Sequence, residues 1–213
     1  MMKPIYKAIL STAYFPNLQY FSKIVNCDKV IIEQYENFSK QSFRNRTEIL
    51  TSNGKQSLTV PIIKKSGSKQ LIKDVLIDYS NNWQDIHFKT LQAAYLSSPF
   101  YEFYIDTFIP FFEKEYKFLF DFNILLIETL LNEIQTNNTI ELSEEYNSSY
   151  NFPDYRSSIH PKQKFHKEDK QFNTVKYLQV FSEKYGFVPN LSILDLLFNE
   201  GPNAMNLLTK MTK

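Results

Sequence analysis

Short apolar runs separated by longer polar stretches open this chain, and their spacing predicts a βαβ unit. Ala8-Ile9-Leu10 marks a buried strand over residues 7–11, and Val30-Ile31-Ile32 marks a second over residues 29–33. Between them Leu18, Phe21, Ile24 and Val25 recur at helical spacing after Pro16-Asn17, a helix start. A strand, a helix and a strand within about 33 residues form a parallel pair joined by a right-handed crossover. The near-continuous apolar character of both strands calls for burial on both faces, hence for the centre of a sheet.

The pattern then changes. Residues 47–51 and 56–63 read as strands joined through Ser52-Asn53-Gly54-Lys55, whose Asn-Gly step signals a hairpin. Residues 71–78 alternate enough for another strand. From Trp83 the period becomes helical, with His87, Leu91, Ala94 and Tyr95 on one face, and aromatic-rich helices follow over residues 100–116 and 122–134. Residues 135–170 are dominated by Asn, Ser, Glu and Lys, with Pro153 and Pro161 as breakers, and predict a loop-rich excursion with one short strand near residues 139–142. An amphipathic stretch at 175–181 and an apolar segment at 191–198, with Asn190 as its expected N-cap, complete the pattern.

The fold expected is α/β and three-layered: a mostly parallel, Rossmann-like central sheet with an added hairpin and C-terminal helices, as one domain over residues 1–213. At 213 residues, 43% of them apolar, one core of this size is the natural outcome. The formal charge of +1 supplies no global field for nucleic acid or an anionic membrane. The lone cysteine, Cys27, excludes an internal disulfide and fits a reducing compartment. No stretch approaches the roughly 18 to 20 apolar residues that span a bilayer, and the opening residues lack the apolar core of a signal peptide, so a cytoplasmic protein is expected. With four glycines, Gly54, Gly67, Gly186 and Gly201, the chain has neither a Walker A loop nor a dinucleotide fingerprint. A bound phosphate would therefore rely on side chains.

Two stretches lie just beyond the ends of the predicted parallel strands, where open α/β sheets bind ligands. The first runs from Ser11 through Tyr14-Phe15-Pro16 into the helix start, where unpaired N–H groups attract anions. The second runs from Gln34 through Asn37, Lys40, Phe43, Arg44, Asn45 and Arg46, offering amides that read hydroxyls or a base and guanidinium forks for phosphate. Ser11, Tyr14, Gln34, Asn37, Lys40, Phe43, Arg44, Asn45 and Arg46 are the candidate ligand-binding residues. Arg44 and Arg46 facing one cleft require a carboxylate or an anion between them, with Glu33, Glu36 and Asp195 the available carboxylates. If the segment is extended, alternation turns Asn45 away from both arginines and makes it structural. Lys64, Lys65 and Lys69 read as a solvated loop, His87 as a packing residue, and Asp195 as a buried carboxylate in need of a partner. His160 and His166 lack companions at ligand spacing, so no metal is expected, and no cofactor is called for.

Both stretches resemble the signatures of the WbqC-like family. Phe15-Pro16 and Tyr20-Phe21 match the first signature, with Ser11-Thr12 in place of Gln-Pro and Gln19 in place of glycine; Lys40, Phe43, Asn45 and Arg46 match the second, with Gln34-Tyr35 in place of an acidic pair. Leu58-Thr59-Val60-Pro61, Trp83 and the stretches 95–100 and 191–199 are also similar, so the resemblance covers most of the chain outside residues 135–170. Genes of this family commonly accompany surface-polysaccharide and O-antigen biosynthesis. The resemblance implies a cytoplasmic enzyme acting on a nucleotide-activated sugar, with acyl or aminoacyl transfer to an amino sugar as the reaction. On that reading Lys40, Arg44 and Arg46 hold the diphosphate and Tyr14 or Phe43 stacks on base or sugar. The alternative is a non-catalytic partner in a biosynthetic assembly, docking through exposed aromatics of residues 100–122. The first signature is more distantly similar to nucleotidylyl transferases with a HIGH-type motif, whose two histidines are missing here.

Overall fold

The computed structural model describes residues 5–63, 69–162 and 169–212. Lys64, Lys65 and His166 lie outside the described residues. Strand β1 (Ile5–Ser11), helix α1 (Leu18–Val25) and strand β2 (Cys27–Glu33) form the predicted unit, and β1 pairs with β2 in parallel. The helix begins where Asn17 caps it, its Oδ1 accepting the Tyr20 N–H at 3.0 Å. Register sets Ile9 beside Ile31 and Ser11 beside Glu33 on one face, with Leu10 beside Ile32 on the other. Ile9 is buried and Ile31 half-buried.

A third strand, β7 (Ile140–Leu142), joins the free side of β2, also parallel. Residues 153–155 line up beside β1: the Ile9 N–H donates to the Pro153 carbonyl at 3.1 Å and the Tyr155 N–H to the Ile9 carbonyl at 2.9 Å. The loop-rich excursion thus supplies backbone to both edges of the β1–β2 pair. All of this backbone runs in one direction, so its carboxyl ends gather at one edge.

The hairpin forms as its Asn-Gly step predicts, from β3 (Arg46–Thr51) and β4 (Gly54–Thr59), paired antiparallel. Beyond Pro61 only β5 (Ile62–Ile63) stays extended, against β6 (Leu76–Ile77). The strand expected over residues 71–78 reduces to β6, because residues 72–74 wind into one 3-10 turn that buries Ile72. Helices α2 (Trp83–Tyr95), α3 (Tyr101–Glu113) and α4 (Leu119–Glu133) carry the aromatic core, in which Tyr95, Phe108 and Phe122 are buried.

Near the end of the chain come α5 (Ser182–Tyr185), α6 (Ile193–Glu200) and α7 (Ala204–Lys210). The cap of α6 is Ser192, whose Oγ accepts the Leu194 N–H at 3.3 Å. Asn190, expected in that role, instead accepts the Gln19 N–H at 2.9 Å and ties α6 to α1. Residues 173–179, which include most of the amphipathic stretch, form neither helix nor strand. Their polar groups serve Asp195, which accepts from Tyr95 Oη at 3.0 Å, Tyr177 Oη at 2.6 Å and Gln179 Nε2 at 2.8 Å. Burial still holds the Asp195 carboxyl above its usual range, although these three donors favour its ionised form. No helix among the described residues is long and apolar enough to cross a membrane.

Candidate functional site

The carboxyl edge of the parallel backbone carries a buried polar cluster. β1 ends on Ser11, β2 on Glu33, and the turn after β2 carries Glu36 and Arg44, while the excursion returns Ser143, Asp154 and Arg156 to the same edge. Arg44 binds Glu36 through two parallel bonds, Nε to Oε1 at 2.8 Å and Nη2 to Oε2 at 2.5 Å. Its Nη2 also donates to Ser11 Oγ at 2.7 Å, and that hydroxyl donates to the Arg156 carbonyl at 3.1 Å. Glu33 is fully buried: its Oε2 accepts from Arg156 Nη1 at 3.0 Å, and its Oε1 from Ser143 Oγ at 2.7 Å and the Tyr35 N–H at 2.9 Å. Asp154 completes the set, accepting from Arg156 Nη2 at 2.6 Å. Burial alone would lower the Arg156 pKa, but the bonds to Asp154 and the charge of Glu33 raise it, so Arg156 stays charged. The rings of Tyr146 and Tyr150, 5.3 and 5.0 Å from its guanidinium carbon, stack on it.

Backbone bonds fix Arg44 in place. The Tyr14 N–H donates to the Phe43 carbonyl at 2.9 Å, Asn123 Nδ2 to the Arg44 carbonyl at 2.7 Å, and Asn45 Nδ2 to the Val60 carbonyl at 2.8 Å. Asn123 projects from α4, so helix and sheet together set the position of the arginine.

Above this cluster lies a cleft of about 300 Å³ lined by Ser39, Lys40, Arg44, Arg156, His160 and Lys162. The two arginines are offset by Glu33, Glu36 and Asp154, and among the described residues Lys40 and Lys162 form no ion pair, so the positive charge left over there comes from these two lysines. Lys162 also bonds Gln41. None of the hydrogen bonds that Arg44 makes among the described residues uses Nη1, which leaves that nitrogen as a donor for a ligand. His160 Nδ1 accepts the Lys162 N–H at 3.0 Å. The cleft thus presents cations and N–H donors suited to a phosphate or carboxylate. Among the described residues no His, Cys, Asp or Glu group is arranged to hold a metal.

The nine residues singled out in the sequence divide on this geometry. Ser11, Lys40 and Arg44 meet at the cleft and its floor. Gln34 sits at the same edge but bonds the Ser143 carbonyl through Nε2 at 2.6 Å, and Asn37 is exposed on a bridge to Leu71. Arg46 lies on β3, where its Nε donates to Thr59 Oγ1 at 3.3 Å, and Phe43 is buried. Asn45 turns inward to Val60, the structural role that alternation allows. Tyr14 is fully buried beneath α2, its hydroxyl 3.0 Å from His87 Nδ1 and its ring 5.8 Å from that of Phe122. The turn at Phe15, whose φ is 38°, carries the chain into the core at this point, away from the cleft. Arg156 and His160 come from the excursion, and no local pattern there marks them for the edge.

The sequence matches the model of the WbqC-like protein family over residues 12–154 and 146–207. The chain belongs to that family. Both segments that build the cleft, the turn after β2 and the excursion, fall inside the matched residues. An uncharacterized protein of Mycobacterium tuberculosis (strain ATCC 25618 / H37Rv), Rv1507c, is 26% identical to this WbqC-like chain over 222 residues, covering 92% of the chain and 94% of that protein. No solved structure matches it.

Proposed function

We propose that this WbqC-like chain is an enzyme of surface-polysaccharide biosynthesis that binds a nucleotide-activated sugar at the Arg44–Arg156 cleft, with acyl or aminoacyl transfer to an amino sugar as its reaction. Family membership points toward polysaccharide-related biosynthesis, and the cleft supplies the chemical support. The observation that carries the reading is the convergence of Arg44, Arg156, Lys40 and Lys162 on one opening at the carboxyl edge of parallel strands, the usual ligand position in open α/β sheets. Its volume, about 300 Å³, is at the small end for ligand sites, enough for a sugar and the adjoining phosphate. The nucleotide then extends along the rim.

A thermal-shift screen of the full chain against UDP-, dTDP- and GDP-hexoses at millimolar concentration tests this. Binding to the folded state alone raises the melting temperature by mass action. A rise of several degrees with at least one nucleotide sugar, and a smaller one with the free nucleotide, is expected. No shift with any of them overturns the reading.

The alternative, a non-catalytic assembly partner, rests on one side chain. Of the aromatics in residues 100–122 that would dock on another protein, Phe103 is exposed at 74%, while Tyr101, Tyr104, Phe108, Phe111, Phe112, Phe120 and Phe122 are buried.

A further inference from the structure

The nucleotide reading of the cleft leaves the base without a partner. Tyr14 and Phe43, the aromatics that the sequence offers for stacking, are buried. In the turn after β2, Lys73 covers the Tyr35 ring at 4.1 Å and Phe38 packs on the core. An open ring beside the cleft comes instead from the excursion.

That ring is Tyr146. The segment that carries it leaves the sheet at Ser143, whose N–H donates to the Ile32 carbonyl at 3.0 Å, and returns at Arg156, a wall of the cleft. Carboxylates take the edges of the Arg156 guanidinium: Nε donates to Asp154 Oδ1 at 3.0 Å, Nη2 to Asp154 Oδ2 at 2.6 Å and Nη1 to Glu33 Oε2 at 3.0 Å. With its edges held in this way, the guanidinium has its faces left for rings, and Tyr146 and Tyr150 meet it there. Tyr150 is half-buried and packs in turn on Phe152, with ring centroids 4.8 Å apart. Tyr146 differs, because it is 54% exposed while still resting on the guanidinium. One side of its ring is therefore braced by a salt-bridged arginine and the other meets solvent. Such a ring loses little conformational freedom when a second flat ring stacks on it.

We propose that Tyr146 is the nucleobase platform of the cleft, with the base stacked on its open face and the diphosphate held by Lys40, Lys162 and Arg44 Nη1. Arg156, which touches the ring and lines the cleft, joins the two halves of the site. The inference rests on the nucleotide-sugar reading and goes beyond it by naming the residue that holds the base. Every base has a π-face, so the platform positions the nucleotide without choosing uracil over guanine.

Calorimetric titration of the full chain with UDP-glucose, GDP-mannose and the base-free anion pyrophosphate tests it, in wild type and in Tyr146→Ala, Tyr146→Phe and Tyr146→Trp. Tyr146→Ala is expected to weaken both nucleotide sugars about ten-fold, the loss of one stacked base, and to leave pyrophosphate within about two-fold. Tyr146→Phe and Tyr146→Trp are expected to keep wild-type affinity, since a flat ring suffices. Tyr146→Trp adds a direct readout. Trp83, the natural tryptophan of the chain, is buried, so emission from the new surface indole is expected to be quenched by UDP-glucose and untouched by pyrophosphate. Unchanged affinity in Tyr146→Ala, an equal loss for pyrophosphate, or unquenched emission overturns the platform and leaves the cleft reading standing. The equal loss would make Tyr146 a positioning residue for Arg156. Failure of both nucleotide sugars to bind the wild type overturns both readings. Where pyrophosphate binds too weakly to titrate, quenching by UDP-glucose decides alone.

Discussion

Arg44 and Glu36 face each other as a planar fork on a carboxylate, with Nε–Oε1 and Nη2–Oε2 contacts of 2.8 and 2.5 Å, and both side chains are 9% exposed. At that burial neither charge is tolerated alone. Glu36→Ala is expected to destabilise the fold by about 3 kcal/mol, the low end for breaking a buried pair, and Glu36→Gln by less, since an amide oxygen still accepts one bond. Urea midpoints at constant m-value measure both. A loss under about 1 kcal/mol for Glu36→Ala would show that water reaches the pair freely.

On the proposed reading, ligand binding and stability separate at the cleft rim. Lys40 is exposed there, while Arg46 lies on β3 beside Thr59. Lys40→Ala is expected to weaken nucleotide-sugar binding roughly ten-fold, the loss of one charge-assisted hydrogen bond, with the melting temperature of the free protein unchanged. Arg46→Ala is expected to leave that affinity within about two-fold, as a surface substitution away from the ligand does. Calorimetric titration of both variants checks the pair, and the reverse order of effects would move the phosphate site to β3.

His87 predicts a pH response. Burial lowers its pKa to about 4, against the opposing effect of a hydrogen bond with the Thr59 backbone. The unfolded chain takes up this proton near its ordinary value of about 6.5. Stability from the neutral ring is therefore fully present above about pH 6.5 and is lost as pH falls toward 4, by about 3 kcal/mol in all. Subtracting the stability–pH curve of His87→Gln from that of the wild type isolates this group from the carboxylates. A flat difference between pH 6.5 and 4 would show that the ring is already protonated in the folded state.

Gly201, at φ +52°, has no room for a side chain: a Cβ there would sit 2.6 Å from carbons of the Phe100 ring. Gly201→Ala combines left-handed strain with overpacking against a ring that packs on the core, and is expected to destabilise by about 2 to 4 kcal/mol. Chemical denaturation gives the value directly.

The parts of this fold that could be read from sequence are those set by neighbours in the chain. The apolar runs around Ile9 and Ile31 fix the parallel pair, Asn53-Gly54 fixes the hairpin, and Asn17 caps α1. The candidate site was legible to the extent that strand ends gather at one edge, which puts Ser11, Lys40 and Arg44 together and gives Arg44 a carboxylate. Its other half is supplied from far along the chain. Asp154, Arg156 and His160 reach the edge because residues 153–155 pair with β1, a contact that no local pattern announces. Tyr14 misled for a related reason. Aromatic residues at a strand-to-helix turn suit a ligand edge and a core equally, and the turn at Phe15 sends this one beneath α2.

The pairing of β1 with residues 153–155 also governs how the protein is made. At ordinary translation rates β1 leaves the ribosome on the order of ten seconds before that partner exists. Further bonds to α1 and the turn before it come later still: the Leu18 N–H reaches the Leu191 carbonyl, and the Ile193 N–H reaches the Pro16 carbonyl. A nascent chain holding only the β1–α1–β2 unit therefore exposes one sheet face and two unpaired strand edges, surfaces that aggregate or recruit chaperones. Assembly waits for the last quarter of the polypeptide, whereas the cleft, whose lining residues 39–44 and 156–162 lie more than 100 positions apart, has both halves synthesised shortly before it.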